Sequence, residues 1–141
     1  MKKEDTIDFH IKTAWHAISR LYNQKAQTFG YSMSVGFILL NINPEVGTRA
    51  TSIAPLIGLE PTSLARSLKT MEEQGLIERY PDPEDGRAVI IKLTETGRLG
   101  RKLARNAVLD FNESITKNLS ESELKNFFQV ITKINKLLTD I

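Results

Sequence analysis

The stretch TSIAPLIGLEPTSLARSLKTMEEQGLIERYPDPEDGRAVIIKLTETG, residues 51–97, decides how this chain folds. Its first segment reads as a short helix from Thr51 or Ser52 to Ile57, with Gly58 as the stop. Pro55 is expected near the first turn of that helix, where a missing N–H costs least. Pro61 suits the first position of a second helix, about 61–74, which stops at Gly75. Leu64, Leu68 and Met71 recur on one face of it, so Thr62, Ser63, Ala65, Arg66, Lys69, Thr70 and Glu73 face elsewhere. After Gly75 the pattern changes. Leu76–Tyr80 and Ala88–Leu93 read as strands around a run of turn formers from Pro81 to Gly86. The expected element is a hairpin with a tip of about six or seven residues.

Outward from this stretch the chain is helical. Residues 4–29 place Ile7, Ile11, Trp15, Ile18, Leu21, Tyr22 and Phe29 at three- and four-residue steps, and Phe29-Gly30 ends the run. Ser32 can cap a helix over about 33–42 that is apolar nearly all round and should be buried. Asn43-Pro44 closes it. On the other side Thr94 caps a helix of about 95–117. Ser120 and Glu123 have capping-box spacing ahead of a last helix, about 121–139. The expected fold class is mainly α with a small β-hairpin wing (α+β): a winged helix-turn-helix core between N- and C-terminal dimerisation helices. The expected division is residues 1–30 for the first dimerisation helix, 31–97 for the DNA-binding domain and 98–141 for the C-terminal dimerisation helices.

Composition narrows the function. At 141 residues, 40% hydrophobic and 26% charged, the chain suits one folded domain with helical extensions rather than a disordered segment. No apolar run reaches the ~20 residues of a membrane span, and the N-terminus lacks a signal-peptide apolar block, so a cytoplasmic protein is expected. Zero cysteine excludes disulfides, thiolate metal sites and thiol redox switches. A net charge of +2 is not that of a histone-like protein, but it permits a local basic surface.

A helix of the 61–74 kind fits the major groove of B-DNA, where its N-terminal side chains reach base edges. Here those are Thr62, Ser63 and Arg66, with Lys69 one turn on and suited to a phosphate. The hairpin tip, Asp82 to Arg87, can lay Arg87 in the neighbouring minor groove.

These residues resemble the MarR family of bacterial transcription regulators. The likeness runs from about Ser32 to Arg101, half the chain. It comprises Ile53-Ala54 and Gly58, Pro61-Thr62-Ser63-Leu64, Leu68, Glu72 to Ile77, Arg79, Asp82-Pro83, Asp85-Gly86-Arg87-Ala88 and Leu93-Thr94-Glu95-Thr96-Gly97. The wing pattern of Asp85 and Arg87, followed by Leu93-Thr94 and Gly97, is its most distinctive part. The resemblance implies a homodimer joined through its terminal helices. It implies repression or activation at a palindromic operator on double-stranded DNA, with repression the expected action, relieved in many members by a small ligand. Thr62, Ser63, Arg66 and Lys69 match the family's groove-facing side, Arg87 its wing arginine, and Asp85 the acid that holds that arginine. Gly86 stands where many members carry a second basic residue, and Ala65 replaces a common hydroxyl. Each removes one contact the family often makes. The family's effector pocket makes Trp15, His16, Tyr22 and Phe37 candidate ligand-lining residues, with ordinary core as the competing reading.

Other chemistries find little support. His10 and His16 lie six apart, off a common helix face, so no metal site and no cofactor are expected. Asp82, Glu84 and Asp85 lack the calcium-loop pattern and read as turn residues. Arg98, Arg101, Lys102 and Arg105 form a dense basic run, either a solvated face or a phosphate contact. No nucleophile–base set or paired catalytic carboxylates stand out, so no enzyme is expected. The alternative to a DNA-binding regulator is a winged-helix protein-interaction module, which an exposed apolar patch on helix 61–74 would favour.

Overall fold

Local caps and stops set the element boundaries in the computed structural model, which describes residues 1–141. A 3₁₀ turn, Lys3–Asp5, precedes α1 (Ile7–Gln27). There follow α2 (Met33–Leu40), β1 (Thr48–Arg49), α3 (Ala50–Ile57), α4 (Pro61–Glu73), β2 (Ile77–Asp82), β3 (Asp85–Leu93), α5 (Glu95–Thr116) and α6 (Glu121–Thr139). The result is six helices and one three-stranded antiparallel sheet, the expected α+β class. The Ser32 hydroxyl accepts the Val35 amide at 3.2 Å and starts α2. At α6 the Ser120 hydroxyl accepts the Glu123 amide, and the Glu123 carboxylate accepts the Ser120 amide in return.

The chain divides into two compact units, Met1–Ala107 and Val108–Ile141, with the boundary inside α5. The first unit holds the core. It is built from Val35, Ile38, Leu39 and Ile42 of α2 and its end, Ile53 and Ala54 of α3, and Leu64, Leu68 and Met71 of α4. Leu76, just before β2, and Ile77, Ile91 and Leu93 of the sheet complete it. α2 is buried because its sequence is apolar on every side, as expected. α1 buries no residue fully, and Ile7, Ile11 and Trp15 stand exposed on it. In the second unit α6 likewise buries none, and Phe127, Phe128, Leu137 and Leu138 are each more than half exposed.

Two expectations need correction. Pro55 does not lie in the first turn of its helix. It sits a turn further in, where its ring replaces the N–H that would bond the Thr51 carbonyl. Both residues are exposed, so water is free to take that carbonyl. The helix ends soon after, at Gly58, whose φ of +69° is left-handed. The hairpin tip is also shorter than expected. β2 and β3 pair as far as Asp82 and Asp85, leaving only Pro83 and Glu84 between them. A register shift at Pro81/Asp82 allows the strands to continue through the proline, which β2 tolerates because it is an edge strand. The two-residue strand β1 was not foreseen. It covers the other edge of β3, pairing Thr48 with Ile91 and Arg49 with Ile90.

Asp82 is the reason the tip closes so tightly. It is not an open turn residue but is only 7% exposed, the single polar or charged residue buried in the chain. Its Oδ1 accepts the Glu84 amide at 2.9 Å, and its Oδ2 accepts Arg49 Nε at 2.7 Å. The Glu84 amide holds the carboxyl below its ordinary value, and the Arg49 guanidinium adds to this, against the opposing effect of burial.

At Gly97, on the first turn of α5, an added Cβ would lie 2.0 Å from the Leu76 carbonyl oxygen. Gly97→Ala should therefore cost about 1–3 kcal/mol or more in urea unfolding. Gly86→Ala, with nothing within 4 Å of the new carbon, should leave the midpoint nearly unchanged. A Gly97→Ala protein as stable as wild type would contradict this packing. The depressed Asp82 carboxyl favours the folded state at pH values above its ordinary 3.8. Wild type should outlast Asp82→Asn in urea at neutral pH. That advantage should shrink as pH falls below about 4 and vanish once the folded-state carboxyl is protonated.

Candidate nucleic-acid interface

α4 divides its residues between core and solvent by helical spacing. Leu64, Leu68 and Met71 are buried, and Thr62, Ser63, Arg66 and Lys69 are exposed on the other side. Thr62, Arg66 and Lys69 follow each other at steps of four and three, so they share one face. None of these four side chains takes part in an ion pair or a side-chain hydrogen bond within the chain. The Arg66 backbone carbonyl accepts the Thr70 hydroxyl at 3.2 Å, which occupies the backbone and leaves the guanidinium free. No large apolar residue of α4 is exposed. The face therefore offers two hydroxyls and two unpaired cations, a set suited to base edges and phosphates. α4 starts with Pro61 at its first position and the Glu60 carbonyl accepting the Leu64 amide at 2.9 Å, and it is held by the core beneath it.

Arg87 lies on β3 rather than in the tip loop, because the strands run further than expected. Its side chain is 99% exposed. Asp85 Oδ1 accepts the Arg87 backbone amide at 3.1 Å and stands 4.0 Å from Arg87 Nε. Asp85 thus fixes the Arg87 backbone more firmly than its guanidinium, which is left extended into solvent. An exposed pair at this distance stabilises the fold by about 0–1 kcal/mol at most. Its consequence is instead directional, since the backbone from which Arg87 projects is held.

The candidate ligand residues separate into two groups. Trp15 and Phe37 line an open cavity of about 440 Å³, with Met33, Ser34, Asn41 and Leu56 among its other walls. Their rings stack with centroids 6.3 Å apart and planes 23° apart. Tyr22 meets the Phe37 ring edge-on at 5.9 Å but does not line the cavity, and burial raises its phenol pKa. His16 is exposed and does not line it either. His10 is engaged locally, its Nε2 2.6 Å from the Glu4 carbonyl oxygen. The basic run on α5 is mixed. Arg98 Nε donates to the Pro44 carbonyl at 3.4 Å, Arg101 is half-buried, and Lys102 and Arg105 are exposed.

The Arg49–Asp82 pair escaped sequence reasoning. Its members are 33 residues apart, and no periodicity or local motif links them. The one available signal was Asp82 at the start of an Asp-Pro-Glu turn, which marks a side chain able to accept a backbone amide two residues on.

Comparison with known proteins agrees with this geometry. The sequence pattern of the MarR family matches residues 32–89. The HTH-type transcriptional regulator YxaD of Bacillus subtilis (strain 168) is 29% identical over 105 residues, covering 74% of this chain and 73% of that one. Among solved structures, the MepR–DNA complex of S. aureus superposes with a TM-score of 0.84 at 22% identity, covering 94% of this chain and 98% of that one. CouR from Rhodococcus jostii RHA1, bound to p-coumaroyl-CoA, superposes with a TM-score of 0.80 at 19% identity, covering 95% and 94%. At these identities the structural likeness establishes the fold, and the family match falls on the segment that contains α4 and most of the wing. Residues 32–89 thus match the MarR family, and the chain has the winged helix-turn-helix fold of the solved MarR-family structures.

Proposed function

We propose that this chain is a homodimeric, sequence-specific DNA-binding regulator that represses transcription from a palindromic operator and is released by a small ligand. The observation that carries the reading is the exposed face of α4, with Thr62, Ser63, Arg66 and Lys69 unpaired, beside a wing whose Arg87 side chain is almost wholly exposed. Thr62, Ser63 and Arg66 read base edges, Lys69 holds a phosphate, and Arg87 enters the minor groove with Asp85 fixing its backbone. The absence of large apolar side chains on that face speaks against a protein-docking role for α4. The capture of MepR with DNA supports the same reading by analogy.

Residues 1–30 and 98–141 serve as dimerisation helices around a DNA-binding domain of residues 31–97. The support is exposed apolar surface: Ile7, Ile11 and Trp15 on α1, and Phe127, Phe128, Leu137 and Leu138 on α6. Two copies of α4 then meet successive major grooves about 34 Å apart. Trp15 and Phe37 are the ligand-lining residues best supported by the cavity, with Tyr22 behind Phe37. His16, exposed and outside the cavity wall, is the least supported of the four candidates. CouR with p-coumaroyl-CoA is the comparison that favours an effector. A ligand acts only through its different affinity for the DNA-competent and incompetent states, a coupling of about 1–3 kcal/mol in typical cases.

The first test is fluorescence anisotropy with the intergenic DNA beside the protein's own gene, against scrambled competitor at two salt concentrations. Binding that survives competitor and weakens with salt is expected, and equal binding to both DNAs would defeat the proposal. Arg66→Ala should cost about 1–3 kcal/mol on that DNA and much less on scrambled DNA. Arg87→Ala should weaken binding to all duplexes and lower the slope of affinity against salt by about one contact. Ending the chain before Ser120 should abolish the dimer in sedimentation velocity. A truncated chain that remains a dimer would put the interface elsewhere.

A further inference from the structure

The wing is fixed at two places. Near its base β3 pairs with β1 through Ile90 and Ile91 only, so the distal hairpin has no third strand beside it. Within Asp82–Arg87, the one side-chain tie to anything outside the hairpin is the Arg49–Asp82 pair. Arg49 is well placed for such a tie. It is at once the last residue of β1 and the N-cap residue of α3, the first helix of the helix-turn-helix. Asp82 uses both oxygens: one accepts Arg49 Nε at 2.7 Å and Nη2 at 2.6 Å, the other accepts the Glu84 amide at 2.9 Å. A buried carboxylate satisfied on both sides has one preferred orientation. Downstream of it, Arg87 has only a 4.0 Å ion contact and is otherwise free in solvent. Where Arg87 arrives is therefore set by the direction of the hairpin, and that direction is set at Asp82.

We infer that Arg49 and Asp82 are positioning residues: their pairing locks the distal wing to the start of α3 and thereby sets DNA affinity without either residue touching DNA. This rests on the DNA-binding reading above for its functional half, and on geometry alone for its structural half. Arg49 remains partly exposed, with 44% of its side chain accessible. A direct phosphate contact by Arg49 is thus the rival explanation, and it predicts a different salt dependence.

The experiment uses the full chain as wild type, Asp82→Asn, Arg49→Gln and the double variant, with duplex DNA selected from a random pool by the wild-type protein. Without DNA, hydrogen exchange of the amides from Glu84 to Val89 should quicken by about tenfold in each variant, while those of Leu39 and Leu68 stay protected. On the selected duplex, affinity should fall by about tenfold in each single variant, and no further in the double variant, as for two halves of one device. The slope of log affinity against log salt should match wild type throughout, because no phosphate contact is lost. A slope reduced by about 0.9 in Arg49→Gln overturns the inference, since Arg49 then neutralises a phosphate itself. Unchanged wing exchange in Asp82→Asn also overturns it, as do additive losses in the double variant. If the wild type selects no duplex, the regulator reading fails instead, and the exchange data alone decide whether the pair holds the wing.

Discussion

Thr94 joins four elements through one side chain and its own amide. Its hydroxyl donates to the Gly75 carbonyl at 2.6 Å and accepts the Gly97 amide at 3.0 Å. Its backbone amide donates to the Leu76 carbonyl at 3.1 Å. The end of α4, the entry to β2, the exit from β3 and the start of α5 are thereby brought to one point. The contact is possible only because residue 97 has no side chain, since a Cβ there would collide with the Leu76 carbonyl. α4 and the wing are both rooted at this junction. Their relative placement is decided here first and refined at Asp82.

Two kinds of constraint therefore divide the labour. Around Thr94 the fixing is by backbone hydrogen bonds and close packing, over a buried core that includes Leu76 and Leu93. At the far end of the wing there is little core to use, and a single ion pair with a backbone amide takes its place. The first kind resists change in pH and salt. The second depends on the charge of one carboxyl.

Much of the architecture was legible because it is written in local terms. Ser32, Ser120 with Glu123, Gly58 and Gly75 act on backbone groups a few residues away, so α2, α4 and α6 lie close to where the sequence puts them. The solvent-facing side of α4 was legible for the same reason, since Leu64, Leu68 and Met71 fix which residues face out. What escaped is non-local. β1 is two residues long and exists only because β3 lies beside it. The short tip depends on a register shift at Pro81 and on Asp82 turning inward to meet Arg49, a partner far along the chain. Runs of turn formers at 81–86 signal a loop whether or not the strands close around it. The wall positions of Trp15 and Phe37, and the exclusion of His16 from the cavity, follow from how α1 meets α2, which periodicity alone does not supply.

The proline in β2 bears on how copies of this protein meet. An edge strand offers unpaired donors and acceptors along its outer side, a template on which a strand from another chain can assemble. In β2 that template is poor. Pro81 has no N–H to give, the register shift beside it disturbs the repeat, and Glu78 and Arg79 add exposed charge. The opposite edge, β1, is only two residues long. Sheet-to-sheet polymerisation is disfavoured at both edges, in crowded solution and during folding alike. Neither edge of the sheet therefore offers a second copy a regular strand on which to build.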